Sequence, residues 1–217
     1  MERVRSLLAS KTPVKWLFYG DSITHGALHT FGQRDYTQLF TERVRYEMGR
    51  CNDLILNSAI SGNSTEHLLS GFDWRAGEFR PHAAFLMIGM NDCSTTRTPR
   101  IDPDAFRKNL NQLADRFAAM NTVTVLQTTC PILPGGAPDR EGTLPLYMEI
   151  IRQVARERTL PLIDHYTWWQ QQADRHYFWM SNTFHPNGFG HLVFAHYLFR
   201  ELGIFDAASR TCRLFQP

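Results

Sequence analysis

Residues 15–22 read Lys15-Trp16-Leu17-Phe18-Tyr19-Gly20-Asp21-Ser22: an apolar run that stops at a glycine, followed at once by a carboxylate and a hydroxyl. A short continuous apolar run bounded by a turn residue is the pattern of a strand buried on both faces. Beyond it, Tyr36, Leu39, Phe40, Val44 and Met48 recur at helical spacing. The same alternation continues along the chain. Residues 54–60 read as a second strand, with a short helix around His67, Leu68 and Leu69, and residues 83–89 (AAFLMIG) as a third. Phe106, Leu110, Leu113, Phe117 and Met120 form a helical stripe, and residues 122–128 (TVTVLQT) are β-branched and alternating, a fourth strand. Prolines and paired glycines mark 131–142 as a loop. A helix is expected over 144–158, a fifth strand over 160–164 and a last helix over 187–202. Strand alternating with helix in this way predicts an α/β sandwich, a mostly parallel five-stranded sheet with helices on both faces. No repeat or break in composition divides the chain, so residues 1–217 are expected to form one domain.

Composition narrows the class. The chain is 43% hydrophobic and 20% charged, ordinary for a globular protein. Lys and Arg number 23 against 21 Asp and Glu, a formal net charge of +2, so charge gives no reason to expect nucleic acid or a membrane surface as partner. No apolar run approaches the roughly 20 residues needed to cross a bilayer, and residues 1–15 lack the apolar stretch of a secretory leader. A cytoplasmic location is the simplest expectation. The four cysteines (Cys51, Cys93, Cys130 and Cys212) are scattered and read as reduced thiols. No His-Glu-x-x-His or comparable ligand spacing occurs, so neither a metal nor another cofactor is expected.

In a parallel sheet, ligands bind at the carboxyl ends of the strands, so the polar residues there carry the functional reading. The first strand ends in Gly20-Asp21-Ser22, the second runs into Ser61-Gly62-Asn63, and the third ends in Gly89-Met90-Asn91-Asp92. The loop before the last helix adds His185, within Asn182-Thr183-Phe184-His185-Pro186-Asn187. Acyl transfer needs this set of groups. A serine hydroxyl is a weak nucleophile and needs an adjacent base, most often histidine. The tetrahedral oxyanion needs donors aimed at it, here the N–H groups of Ser22 and Gly62 and the side-chain amide of Asn91.

These blocks, Gly20-Asp21-Ser22-Ile23-Thr24-His25-Gly26, Gly62, Gly89-Met90-Asn91-Asp92 and His185-Pro186-Asn187, resemble those of the SGNH (GDSL-type) hydrolase superfamily, in the family's order and across nearly the whole chain. The resemblance implies a flavodoxin-like three-layer α/β/α sandwich and serine esterase, lipase or thioesterase chemistry without a metal. It implies Ser22 as nucleophile, His185 as base, and Ser22, Gly62 and Asn91 as the oxyanion hole. The substrate is expected to be a small carboxylic ester, such as a short acyl ester or an acetylated carbohydrate.

The chain departs from the family at one position. The family usually carries Asp three residues before the histidine, where this sequence has Asn182. In the serine-protease template that exchange costs about 10⁴ in kcat, because the amide can offer the imidazole the wrong face. An asparagine can also orient a histidine through its side-chain oxygen. The alternatives are an Asn182-assisted triad, a Ser22–His185 dyad, an acid supplied by Asp164 or Asp174, or a weakened binding module on the same fold. Asp21 and Asp92 read as residues that hold their turns, and His25 and His29 as candidates to line the substrate site. Arg97, in the loop after Asn91, reads as a solvated charge.

Overall fold

The computed structural model describes residues 1–217. Its elements follow in the order α1 (Glu2–Ala9), β1 (Lys15–Gly20), α2 (Ser22–His25), α3 (Tyr36–Thr41), β2 (Leu54–Asn57), α4 (Thr65–Ser70) and β3 (Ala83–Met87). Then come α5 (Pro103–Ala119), β4 (Val123–Gln127), α6 (Leu144–Glu157), β5 (Leu162–Ile163), α7 (His165–Gln170), α8 (His176–Trp179) and α9 (Gly188–Leu202). The five strands form one sheet in the order β2-β1-β3-β4-β5, and every pairing is parallel. This is the flavodoxin-like strand order.

β1 lies inside the sheet with Trp16 to Gly20 buried. Its side chains alternate between the two helical layers, as the strand repeat requires. Trp16 and Phe18 meet Phe40, and Phe18 also meets Tyr36, edge to face, on the α3 side. Tyr19 faces the opposite way, against Phe72 and Phe117 of α5. Phe85 of β3 stacks on Phe18 with ring centroids 4.8 Å apart and on Trp16 at 6.3 Å. Helix α9 joins the first layer through Phe194, which packs on Tyr36. The result is one continuous core of 53 buried residues. At the amino end of β1, buried Asp53 accepts from the Val14 N–H (3.0 Å), the Trp16 indole (2.8 Å) and Arg50 (2.7 Å), which sets where β1 and β2 begin to pair.

The structure departs from the sequence expectation at element ends. β2 stops at Asn57 rather than at 60, although the Ser58 and Ile60 N–H groups still reach the Phe18 and Gly20 carbonyls. β5 contracts to Leu162–Ile163. The helix expected around Tyr36 to Met48 is α-helical only to Thr41 and continues as a π-helical turn over Glu42–Glu47. Helices α1, α7 and α8 were not expected from the sequence. All four cysteines are free thiols, and no helix is long and apolar enough to cross a membrane.

Phe85 is fully buried among Trp16, Phe18 and Phe40. Phe85→Ala is expected to destabilise the fold by about 3–5 kcal/mol. Urea unfolding checks this: a lower midpoint at unchanged slope is expected, and an unchanged midpoint contradicts this account of the core.

Candidate active site

Gly20 closes β1 at a point where a Cβ would overlap the Met87 carbonyl of β3 and crowd Thr24, so a side chain there would push the two strand ends apart. Directly after it, Asp21 caps α2 by accepting the Ile23 N–H at 3.0 Å. Ser22 is therefore the first residue of a helix, and its N–H has no acceptor within that helix. Helix α2 is tied down by Asn57, which donates to the Thr24 carbonyl (2.8 Å), and by a hydroxyl pair between Thr24 and Tyr36 (3.0 Å).

The segment carrying His185 is a tight turn closed at its base. Met180 and Pro186 form an antiparallel bridge, and the Ser181 N–H reaches the His185 carbonyl at 2.8 Å. Asn187 caps α9 through its side-chain oxygen while its amide donates to the Phe178 carbonyl at 2.8 Å. The turn is flanked by two glycines without room for a side chain. A Cβ on Gly136 would overlap Thr183, and one on Gly188 would overlap Gln33. The turn carries His185 to Ser22: the Ser22 hydroxyl donates to His185 Nε2 at 2.8 Å.

Asn182 meets the imidazole with its oxygen. Asn182 Oδ1 accepts from the backbone N–H groups of Phe184 (3.1 Å) and His185 (2.9 Å) and lies 3.1 Å from His185 Nδ1. Two backbone N–H groups require an acceptor there, so the amide cannot turn its NH₂ toward the ring. His185 then carries its proton on Nδ1 and leaves Nε2 free to accept from Ser22. Asp164, an alternative source of the acid, is committed elsewhere: it pairs with Arg152 at 2.8 Å and caps α7.

Gly62 sits in the turn after β2 with φ of 82°, a left-handed conformation that glycine adopts without strain. Asn91 is buried and donates one side-chain N–H to the Asn63 carbonyl at 2.9 Å, which leaves its second N–H uncommitted. Asp92 accepts from the Thr65 N–H (2.9 Å) and hydroxyl (2.6 Å), locking α4 to the turn after β3. His25 is exposed and pairs with the Ser61 hydroxyl at 3.0 Å, next to Gly62 in the chain. Arg97, read from the sequence as a solvated charge, donates to the Gly62 carbonyl at 3.0 Å and so braces the turn. Its position in a long loop left no sequence signal for that role.

The site's electrostatics follow from burial. Loss of hydration pushes the Asp21 carboxyl up to about 7 and Asp92 up to about 6, with Asp92 adding to the rise at Asp21. Burial, with His29 and Arg140 nearby, pushes His185 down to about 4, so the ring is neutral at pH 7. A cavity of about 700 Å³ lies on one flank of the His185 turn, lined by Pro131, Leu133, Leu144, Tyr166, Tyr177 and Thr183 among others. No group of three or more His, Cys, Asp or Glu side chains is arranged to hold a metal.

The sequence profile of the GDSL-like Lipase/Acylhydrolase family matches residues 18–193, from β1 into α9, and so includes every residue of this arrangement. The chain belongs to that family. As a GDSL-like acylhydrolase it is a hydrolase of carboxylic esters. An acetylxylan esterase of Geobacillus stearothermophilus is 24% identical over 214 residues, covering 90% of this chain and 97% of that protein. An uncharacterized protein of Mycoplasma pneumoniae is 31% identical over 109 residues, 50% of this chain, and the matched region spans only 12% of that protein. Among solved structures, LAE5, an alpha/beta hydrolase enzyme from the metagenome of Lake Arreo, Spain, superposes with a TM-score of 0.79. It is 20% identical, and the match covers 92% of this chain and 99% of that one, so it shows a shared fold.

In this GDSL-like acylhydrolase, His185 is expected to titrate near pH 4 rather than near the ordinary histidine value of 6.5. Asn182→Asp places a carboxylate against Nδ1 and is expected to raise that midpoint by about 1–3 units, since an opposite charge favours the imidazolium. Ring-proton NMR across pH 3–9 checks both. A wild-type midpoint near 6.5, or no rise in Asn182→Asp, contradicts the geometry described.

Proposed function

We propose that the protein is a serine esterase acting on small carboxylic esters through an acyl-enzyme on Ser22, with acetylated carbohydrate as the favoured substrate class. The single observation that carries this reading is the relay Ser22 Oγ–His185 Nε2 (2.8 Å) and His185 Nδ1–Asn182 Oδ1 (3.1 Å). In this reading His185 takes the proton as Ser22 attacks the ester carbonyl. The N–H groups of Ser22 and Gly62 and the free amide hydrogen of Asn91 receive the oxyanion. His185 then returns the proton to the leaving alcohol, and a water repeats the relay to release the acid.

Asn182 takes the place of the acid. It holds the ring by its oxygen but brings no charge to balance the imidazolium. The low midpoint of His185 keeps the ring neutral at pH 7 but makes it a weaker proton acceptor than an ordinary imidazole. The alternative, a decayed binding module, would leave the side-chain oxygen of Asn182 free to turn away. Its three N–H contacts favour the enzyme. The acetylated-carbohydrate preference is supported by the acetylxylan esterase relative, which this chain covers at 97% of its length.

The test is hydrolysis of p-nitrophenyl esters from acetate to decanoate and of acetylated xylo-oligosaccharides. Ser22→Ala is expected to lose at least about 10³-fold in kcat, and Asn91→Ala about 10²–10³-fold. The acid limb of kcat/KM is expected below 6.5, where free histidine titrates. A Ser22→Ala variant with wild-type turnover, or a wild type that a fluorophosphonate probe fails to label, sinks the esterase reading. A preference for decanoate over acetate would replace the substrate class.

A further inference from the structure

Asn182 supplies a single acceptor to the imidazole and no charge, so something else must keep the ring in the plane that joins Nε2 to Ser22 and Nδ1 to Asn182. The loop between α2 and α3 provides it. His29 lies flat on His185, with ring centroids 3.7 Å apart and planes within 8°. The next closest aromatic pairs in the molecule stand at 4.6 Å. The loop that presents His29 is built rather than slack. The His29 N–H reaches the Ala27 carbonyl at 2.8 Å, and the Gln33 N–H reaches Thr30 at 3.0 Å. Leu28 and Phe31 take left-handed backbone with φ of 69° and 52°, which non-glycine residues hold only when the surroundings impose it. Gln33 packs against Gly188 at the start of α9. His29 Nδ1 also lies 3.4 Å from the Ser181 hydroxyl, on the turn that carries His185.

His185 is held elsewhere too. Phe184 meets it in a tilted arrangement at 4.6 Å, and Arg140 lies over the Phe184 ring. We propose that His29 is a positioning residue: its ring, stacked on His185, covers one face of the base and holds it in line between Ser22 and Asn182. This rests on His185 being the base. The stack helps only while His29 is uncharged, since two imidazolium rings at this distance would repel. Burial already lowers the tendency of His29 to take a proton. The other titratable or charged groups coupled to the pair are Arg140, from the loop before α6, and His191 of α9. Arg140 disfavours a positive charge on His185, and burial keeps His191 neutral.

The experiment compares wild type with His29→Ala and His29→Phe, using two readouts. The first is the NMR titration of the His185 ring, which needs no turnover. His29→Ala uncovers one ring face and removes a coupled base, so the His185 midpoint is expected to rise. The second is p-nitrophenyl acetate kinetics. Here kcat is expected to fall by about tenfold or more at little change in KM, the signature of lost alignment rather than lost binding. His29→Phe, which keeps a flat ring, is expected to recover most of kcat. Near-UV circular dichroism confirms that both variants fold; His29 sits in a half-exposed loop.

An unchanged His185 midpoint in His29→Ala overturns the proposal whether or not the protein turns over ester. A rise in KM at constant kcat overturns it in favour of a substrate-lining histidine, and failure of phenylalanine to rescue shows that His29 acts by proton transfer instead. A wild type without Ser22-dependent turnover fails the esterase reading, and the NMR titration still decides the clamp.

Discussion

Parallel pairing on both edges of β1 forces each connection between neighbouring strands to cross over a face of the sheet. It also places a reversal of winding beside β1: the chain goes out to β2 on one side and returns to β3 on the other. At such a point the loops from two adjacent strand ends splay to opposite faces and open a crevice. Gly20 of β1 pairs with Met87 of β3, so the loops carrying Ser22 and Asn91 leave the sheet side by side. The absence of a side chain at Gly20 lets them stay close, and the hydrogen bond that the Asn91 side chain donates to the Asn63 carbonyl draws in the third loop. The candidate site is thus a consequence of the strand order, and the aromatic core around Phe18 and Phe85 holds that order in place.

Charge at the site is arranged by exclusion of water rather than by pairing. Asp21 and Asp92 are buried, each with one carboxylate oxygen that has no partner, and neither faces a cation close enough to offset its burial. Their work is done by the other oxygen, which caps α2 in one case and anchors Thr65 in the other. His185 shows the same logic with opposite sign. Cover by its surroundings and the Arg140 charge nearby keep it neutral, and with Asn182 in place of an acid no carboxylate opposes that tendency. A neutral acceptor holds the tautomer, and a stacked neutral ring covers the face.

The pattern of apolar runs made the sheet and most of its helices legible, because a buried strand and an amphipathic helix write different periods into the sequence. The bounds of the strands were less so. Residues 58–60 are apolar or small enough to read as strand, and Ser58 and Ile60 still donate to the Phe18 and Gly20 carbonyls, but regular β2 ends at Asn57 before the turn that carries Gly62. Helix α1 escaped because it buries only Val4 and Leu8 of its own residues. Helices α7 and α8 escaped because their aromatic residues, Trp168, Trp169 and Trp179 among them, pack on one another and show no clear period.

At the site, the residue types and their order were enough to single out Ser22, Gly62, Asn91 and His185, since acyl transfer draws on few side chains and each was present at a strand end or before the last helix. Which face Asn182 shows to the ring was beyond the sequence. It depends on two backbone N–H groups whose direction is set by the turn between Met180 and Pro186. The partners of His29 and Arg97 were equally hidden. Both lie in irregular loops, where position follows from packing against distant elements rather than from any local period. The sequence by itself determined the layers, the strand ends and the chemical inventory, because hydrophobic spacing and residue type are local properties. Only the tertiary structure decided which of those groups touch and in what protonation state, because contact and burial are properties of the whole fold.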